Sequence, residues 1–338
     1  MKDSATKEYI KLKTEDLLDL EALCAEYGMT AEELVDFHNR HCSISELLSA
    51  SLPKYVEYIY IPSDKFKARD NRLLKSTVLE IPAGSSDKVY GVIIRFLPKN
   101  LQIHYKTNIR RTPACIELSK EKTYVNNQGI DKIIEQLFEK AEQVLYPLQI
   151  DAGSNGSMQR ILNKEDISQR WKTECFPKLK EYYQSETTDR ILEQLDQAYA
   201  DIDLKKDLFN RNIFYKLFFL PVYKGYPKFF SKDFLQIYFS GLSRDARYEI
   251  EYSLNKEYTR GNKIVLRITG TEEEDAFNRN KPKGKVDLLY KFERETREIF
   301  SISGTLSTFD KGKEYEIDFQ VYEQIKNQSV LKHQKNTK

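Results

Sequence analysis

Arg247-Tyr248-Glu249-Ile250-Glu251-Tyr252-Ser253-Leu254 alternates polar and apolar side chains without a break. Successive side chains of a strand point to opposite faces, so a stretch of this kind has one buried face and one wet face. The same period of two returns at Val286, Leu288, Tyr290 and Phe292, and again at Tyr315, Ile317, Phe319 and Val321. From about Phe229 onward the expectation is an antiparallel sheet of at least five strands. Its hairpins fall at Thr259–Asn262, Thr271–Gly284, Glu293–Arg297 and Asp310–Lys313.

Upstream of the alternating region the period lengthens. Helical spacing marks Gly129 to about Tyr146, through Ile130, Ile133, Ile134, Leu137, Phe138 and Ala141, and three further stretches, Lys164–Tyr183, Thr187–Ile202 and Leu204–Leu217. Leu148–Ile150, the Gly153-Ser154-Asn155-Gly156 turn and Met158–Leu162 read as a hairpin between them. Before the helices stand strand candidates at Thr77–Ile81, Val89–Leu97 and Leu101–Thr107. A helical block between two β-rich halves predicts one α+β domain over 77–325: strands in 77–127, helices in 129–217, a β-meander in 229–322, and the helices packed on the apolar side of the sheet. The polar tail 326–338 is expected to be disordered.

At 338 residues, 40% of them hydrophobic, the chain can build more than one core. With 31% charged residues it has no apolar run near the roughly 18–20 residues that cross a bilayer. Met1–Thr14 lacks the apolar core of a secretory signal, so the expected compartment is the cytoplasm. The net charge of +2 gives no global reason for nucleic-acid binding. Residues 1–62 carry six basic and twelve acidic side chains, which marks off an acidic N-terminal segment.

That segment has its own order. Tyr9–Leu12 reads as a strand, and Leu17, Leu20, Leu23 and Cys24 as a helix ended by Tyr27-Gly28. Thr30 and Glu33 form a capping box for a second helix with Leu34 and Phe37 on its apolar face, and Tyr58–Pro62 closes as a second strand. A helix-turn-helix DNA reader would also fit two helices around a glycine, but the acidic Glu32, Glu33 and Asp36 would repel phosphates. The charged stretch 63–76 reads as a solvated linker.

Tyr9, Leu20, Tyr27-Gly28, Leu34, Asn39 and Ile61-Pro62 stand in the order of the LysM pattern, and the segment resembles a LysM module of β-α-α-β fold over about a fifth of the chain. The resemblance implies binding of N-acetylglucosamine glycans such as peptidoglycan, with Asp19, Tyr27, Gly28 and Asn39 beside the groove. Two departures stand out: Leu17-Leu18-Asp19-Leu20 replaces the usual Gly-Asp-Thr-Leu turn, and the connection from Asn39 to the last strand is long. LysM-like modules without an export signal also resemble those of phage-tail and contractile-injection machines. The C-terminal meander is distantly similar to curved-sheet domains of bacterial envelope lipoproteins.

Motifs for catalysis are missing from the sequence: it has no P-loop, GxGxxG, GxSxG or HExxH. Cys24, His38, His41 and Cys42 could in principle meet at a zinc ion, and Cys115 or Cys175 could meet His104 as an activated thiol. The spacing of the first four matches no zinc-finger pattern and nothing local supports the thiol, so no metal, no cofactor and no enzymatic activity are expected. The expected function is a non-enzymatic adaptor or chaperone that docks a partner protein, a secreted effector or a tail or spike component, in a bacterial secretion or phage-tail-like machine. Exposed Glu32 and Asp36 are the candidate partner contacts. The alternatives are a peptidoglycan-binding envelope protein and a carrier of an apolar ligand on the C-terminal sheet.

Overall fold

The structure is a computed structural model and describes residues 8–14, 20–43, 46–48, 56–130, 132–200, 202, 206–259, 261–273 and 282–324. The fold is α+β. The chain divides into two compact units, residues 1–75 with 256–258, and residues 76–255 with 259–338. No helix among the described residues is long and apolar enough to cross a membrane. The tail 326–338 lies outside the described residues.

In the first unit β1 (Tyr9–Lys13) pairs antiparallel with β2 (Tyr58–Pro62), Ile10 opposite Ile61. Between them lie α1 (Leu20–Tyr27) and α2 (Ala31–His41). Gly28 adopts φ +62°, the left-handed turn that glycine makes without strain at a helix end. Thr30 caps α2 reciprocally: its hydroxyl accepts from the Glu33 N–H at 3.2 Å, and Glu33 Oε2 accepts from the Thr30 N–H at 2.8 Å. Leu20, Leu23, Leu34, Ile59 and Ile61 make the buried centre.

Residues 63–72, expected as part of a solvated linker, are instead a helix, α3 (Ser63–Arg72). Asp64 sits in its first turn and Arg69 and Arg72 in its last, matching the helix dipole. Its hold on the unit comes from few side chains. Phe66 packs against the buried cluster and stacks on Tyr27 at 6.3 Å, while Arg69 pairs with Glu26 and lies 5.0 Å over the Tyr27 ring. One phenylalanine among charged residues leaves no apolar period to read.

Among the described residues the second unit holds one antiparallel sheet of thirteen strands. A meander, β10 (Phe230–Phe239), β11 (Arg244–Leu254), β12 (Lys263–Glu272), β13 (Lys285–Glu293), β14 (Ile299–Asp310) and β15 (Lys313–Gln324), joins through β15 to β3 (Ser86–Leu97), with Phe319 opposite Ile94. The path continues through β4 (Leu101–Arg111), β5 (Ile116–Lys120), β8 (Leu148–Ala152) and β9 (Met158–Ile161). The short β6 (Tyr124–Val125) and β7 (Gln128–Gly129) hang off β4. Gly304, with φ +147°, lies where a Cβ would come within 2.0 Å of the Asp287 carbonyl on β13, so β14 passes there only as glycine.

Three sequence expectations need correction. Thr77–Ile81 is no strand but an extended segment tied to 224–226 by the Leu79 N–H to Lys224 O and the Tyr226 N–H to Thr77 O bonds, with an isolated bridge at Val78 and Gly225. The helix expected from Gly129 starts later, as α4 (Ile133–Gln143), because Gln128–Gly129 is taken into the β6–β7 ladder. The helix over Lys164–Tyr183 contains a π turn at Trp171–Cys175 between α5 (Lys164–Arg170) and α6 (Phe176–Tyr182). Pro177 stands two residues beyond it, and its missing N–H removes the regular helical bond back to the Thr173 carbonyl.

After α7 (Glu186–Ala200), the chain forms α8 (Lys206–Arg211) and α9 (Ile213–Phe218), split at Asn212, whose side chain accepts from the Phe214 N–H. The aromatic α9 lies on the apolar face of the sheet. Phe218 meets Tyr90 edge-on at 5.5 Å, Phe214 meets Tyr105 at 6.1 Å, and the Tyr290 hydroxyl donates to the Leu217 carbonyl at 2.8 Å. Tyr90 and Tyr248 do the same, with the ring in the apolar core and the hydroxyl donated to the Ile299 and Ser307 carbonyls.

Candidate functional site

The residues assigned to a groove by resemblance are placed in the first unit as follows. Tyr27 is 4% exposed, its ring in contact with Phe66 and with the Arg69 guanidinium of α3, and burial pushes its phenol pKa up against the pull of Arg69. Asn39 is half-buried in the last turn of α2, and its amide pairs with the connection after that helix. Its Nδ2 donates to the Leu48 carbonyl at 2.9 Å and its Oδ1 accepts from the Leu48 N–H at 2.8 Å. Gly28 is exposed and offers its carbonyl to Lys65 at 3.4 Å. Asp19 lies outside the described residues. Glu32 and Asp36 stand exposed one turn apart on α2, Asp36 paired with Arg40.

The histidines and cysteines are held by other partners. His38 is fully buried, and both ring nitrogens serve backbone: Nδ1 accepts from the Tyr60 N–H at 3.1 Å and Nε2 reaches the Glu46 carbonyl at 2.8 Å. An N–H can only donate and a carbonyl only accept, so the ring is the Nε2–H tautomer. His41 Nδ1 reaches the Phe37 carbonyl at 2.7 Å, and no group of three metal-ligating side chains occurs among the described residues. His104 stacks on Tyr124 at 5.1 Å. Cys115 Sγ lies 3.7 Å from the Thr112 hydroxyl, and the Cys175 thiol donates to the Lys140 carbonyl with its pKa raised by burial. A thiol pushed up in this way is a poor nucleophile.

The second unit contains a groove that the sequence reading did not locate. Its floor is Ile94 and Phe96 of β3, Leu101, Ile103 and Tyr105 of β4, and Ile317 of β15; one wall is α4, the other the α8–α9 junction with Tyr238 of β10. The volume is about 450 Å³. At one end Lys120 Nζ lies 2.7 and 2.8 Å from the two Glu142 oxygens and 4.3 Å over the Tyr105 ring. Glu142 Oε1 also accepts from the Tyr146 hydroxyl at 3.3 Å, and Tyr146 lies 3.0 Å from the Tyr215 hydroxyl. Burial, reinforced by nearby Glu142, raises the phenol pKa of Tyr105 and Tyr146 well above the ordinary tyrosine range.

The signal for this groove was in α4. Six apolar residues at 130–141 cover a wider arc than one buried face needs. The structure buries Leu137 and Ala141 and leaves Ile133, Ile134 and Phe138 at 64%, 45% and 47% exposure.

Lys88, beside Ser86 on β3, is the other dense polar cluster. Burial opposes its charge, but Glu323 and Glu298 outweigh that and raise its pKa, which suits an ion pair and not a general base. No family model, no curated protein and no solved structure matches the chain.

Proposed function

We propose that the protein is a non-enzymatic adaptor that docks a partner protein, an effector or a tail or spike component of a secretion or phage-tail-like machine, through a LysM-like N-terminal module. The observation that carries the reading is what the module does with its groove-position residues. Tyr27 is packed under α3, and both amide atoms of Asn39 are spent on Leu48, so neither is presented to a sugar. The surface of α2 that remains offers Glu32 and Asp36. Acidic rim charges of this kind steer a basic partner and set its association rate.

Two measurements on the full chain test this. Sedimentation with insoluble peptidoglycan is expected to leave the protein in the supernatant. Capture of the partner from host lysate is expected to fall when Glu32→Lys and Asp36→Lys are combined, with the fold intact by circular dichroism. Sedimentation with peptidoglycan would return the module to a glycan-binding role, and capture indifferent to the double charge reversal would remove α2 as the docking surface.

A further inference from the structure

We propose that the open edge of β1 in the first unit takes an extended acidic polypeptide segment as a third strand. This goes beyond the adaptor reading and does not rest on it, because the surface is β1 and not α2. Bonds that flank the β1–β2 ladder fix which backbone groups are spare. The Ser63 N–H donates to the Glu8 carbonyl at 3.0 Å and the Thr14 N–H to the Glu57 carbonyl at 2.8 Å, so with Ile10 opposite Ile61 the even-numbered residues of β1 are the ones bonded to β2. Tyr9, Lys11 and Lys13 therefore turn their N–H and C=O groups away from β2. The Tyr60 N–H follows the same alternation on the other strand, pointing away from β1 into His38 Nδ1 at 3.1 Å. His38 of α2 thus closes the outer side of β2, while among the described residues nothing bonds the backbone of Tyr9, Lys11 or Lys13. An unpaired edge of this kind is a template for an added strand.

Side chains decide the partner. The same three residues share one face of the ladder with Tyr58 and Tyr60, while Ile10, Leu12, Ile59 and Ile61 turn to the core. Lys11 and Lys13 are exposed, and among the described residues no carboxylate lies within 4 Å of either. Lys11 Nζ lies 5.0 Å over the Tyr60 ring. The acids of the unit are placed or engaged elsewhere. Glu21, Glu26, Glu32, Glu33 and Asp36 are on α1 and α2, and Glu8 and Glu57, one residue outside the strands, fall by alternation on the core side. Glu46, whose charge reaches Lys11, accepts from the Ser43 hydroxyl at 2.9 Å. In an added antiparallel strand the residues opposite these three stand with Cα atoms about 5.5 Å away and side chains on the same face. Acids spaced two apart then meet Lys13 and Lys11, and an apolar residue meets Tyr9. A second copy of the chain does not fit, because the antiparallel register that uses all three residues sets Lys11 against Lys11.

The test uses the full chain, 15N-labelled at lysine and tyrosine, and the peptide acetyl-Thr-Glu-Thr-Glu-Thr-Val-Thr-amide, whose glutamates and valine are the residues set to bond β1. Titration to about 1 mM is expected to shift the Lys11 and Lys13 amide signals and to slow their hydrogen exchange. The lysine counterpart, acetyl-Thr-Lys-Thr-Lys-Thr-Val-Thr-amide, is expected to bind at least tenfold more weakly. N-methylation of both glutamates removes two donors aimed at β1 and is expected to weaken binding at least tenfold. N-methylation of the two inner threonines, whose N–H groups point away, is expected to change it less than threefold. Lys11→Glu with Lys13→Glu, at exposed positions, is expected to invert the preference between the two peptides with the circular dichroism unchanged. No shift at these amides with about 1 mM acidic peptide would overturn the proposal, as would equal binding of the lysine peptide. Binding indifferent to which residues are N-methylated would overturn it too, leaving a side-chain charge contact with no added strand.

Discussion

Replacing His38 with alanine strikes the first unit where α2, the connection after it and β2 are tied by one side chain. The imidazole is fully buried, and its loss leaves the Tyr60 N–H and the Glu46 carbonyl without their partner. Each buried backbone group left unpaired costs about 1–3 kcal/mol. The vacated space, roughly 60 Å³ at about 24 cal/mol per Å³, adds about 1.5 kcal/mol. The sum, roughly 3.5–7.5 kcal/mol, rivals all the stability such a unit is expected to have at about 0.05–0.15 kcal/mol per residue. His38→Phe fills the space without restoring either bond, so it should keep the larger part of the cost. Amide hydrogen exchange on the full chain reads the effect: protection across 31–41 and 58–62 should fall by at least two orders of magnitude in both variants. Trp171, the one tryptophan, lies against Tyr199 at 4.6 Å in the second unit and gives a fluorescence reference for that unit in the same sample. Unchanged protection in His38→Ala would refute the bracing role, and protection that depends on added zinc would point back to a metal.

Trp171→Phe removes the indole N–H that donates to Asp196 Oδ1 at 2.8 Å from a fully buried position, and should cost about 1–3 kcal/mol in denaturant unfolding of the second unit. Gly304→Ala would force a Cβ against the Asp287 carbonyl where glycine has φ +147°; loss of the cooperative thermal transition or of expression is expected, whereas Gly312→Ala, with nothing within 4 Å, should fold with only turn strain. Arg267 holds the Asp287 carboxyl below its ordinary value of 3.8, helped by two hydrogen bonds at 2.7 and 3.0 Å. A depressed folded value means stability present above that ordinary range and lost as pH falls through the lower one, so Asp287→Asn should destabilise slightly at pH 7 and not at pH 2, by thermal melting. Both partners are more than half exposed, so the effect should also shrink in 1 M salt.

Legibility followed the range of the interactions. The capping box of α2, the Tyr27-Gly28 helix end, the alternating β11, β13 and β15, and the hairpin around Gly156 are set by neighbours in sequence, and the α+β class follows from them. The helix α3 was hidden because its anchors, Phe66 and Arg69, act on Tyr27 some forty residues away and leave no period of their own.

The candidate site was less legible still. Asn39 keeps the identity of a groove residue, but its amide is aimed at Leu48, a pairing that depends on the course of the connection after α2. The groove of the second unit exists because β15 pairs with β3 and so brings Ile317 beside Ile94, Ile103 and the exposed side of α4. By itself, then, the sequence determined the local elements, the apolar face of each strand and the acidic character of the first unit, since these depend on spacing and composition. Only the tertiary structure decided that the two β-rich halves share one sheet, that His38, Tyr27 and Asn39 are internal braces, and that Phe138 and Glu139 flank a groove. Each of those depends on contacts between segments far apart in the chain, and no local pattern of side chains encodes them.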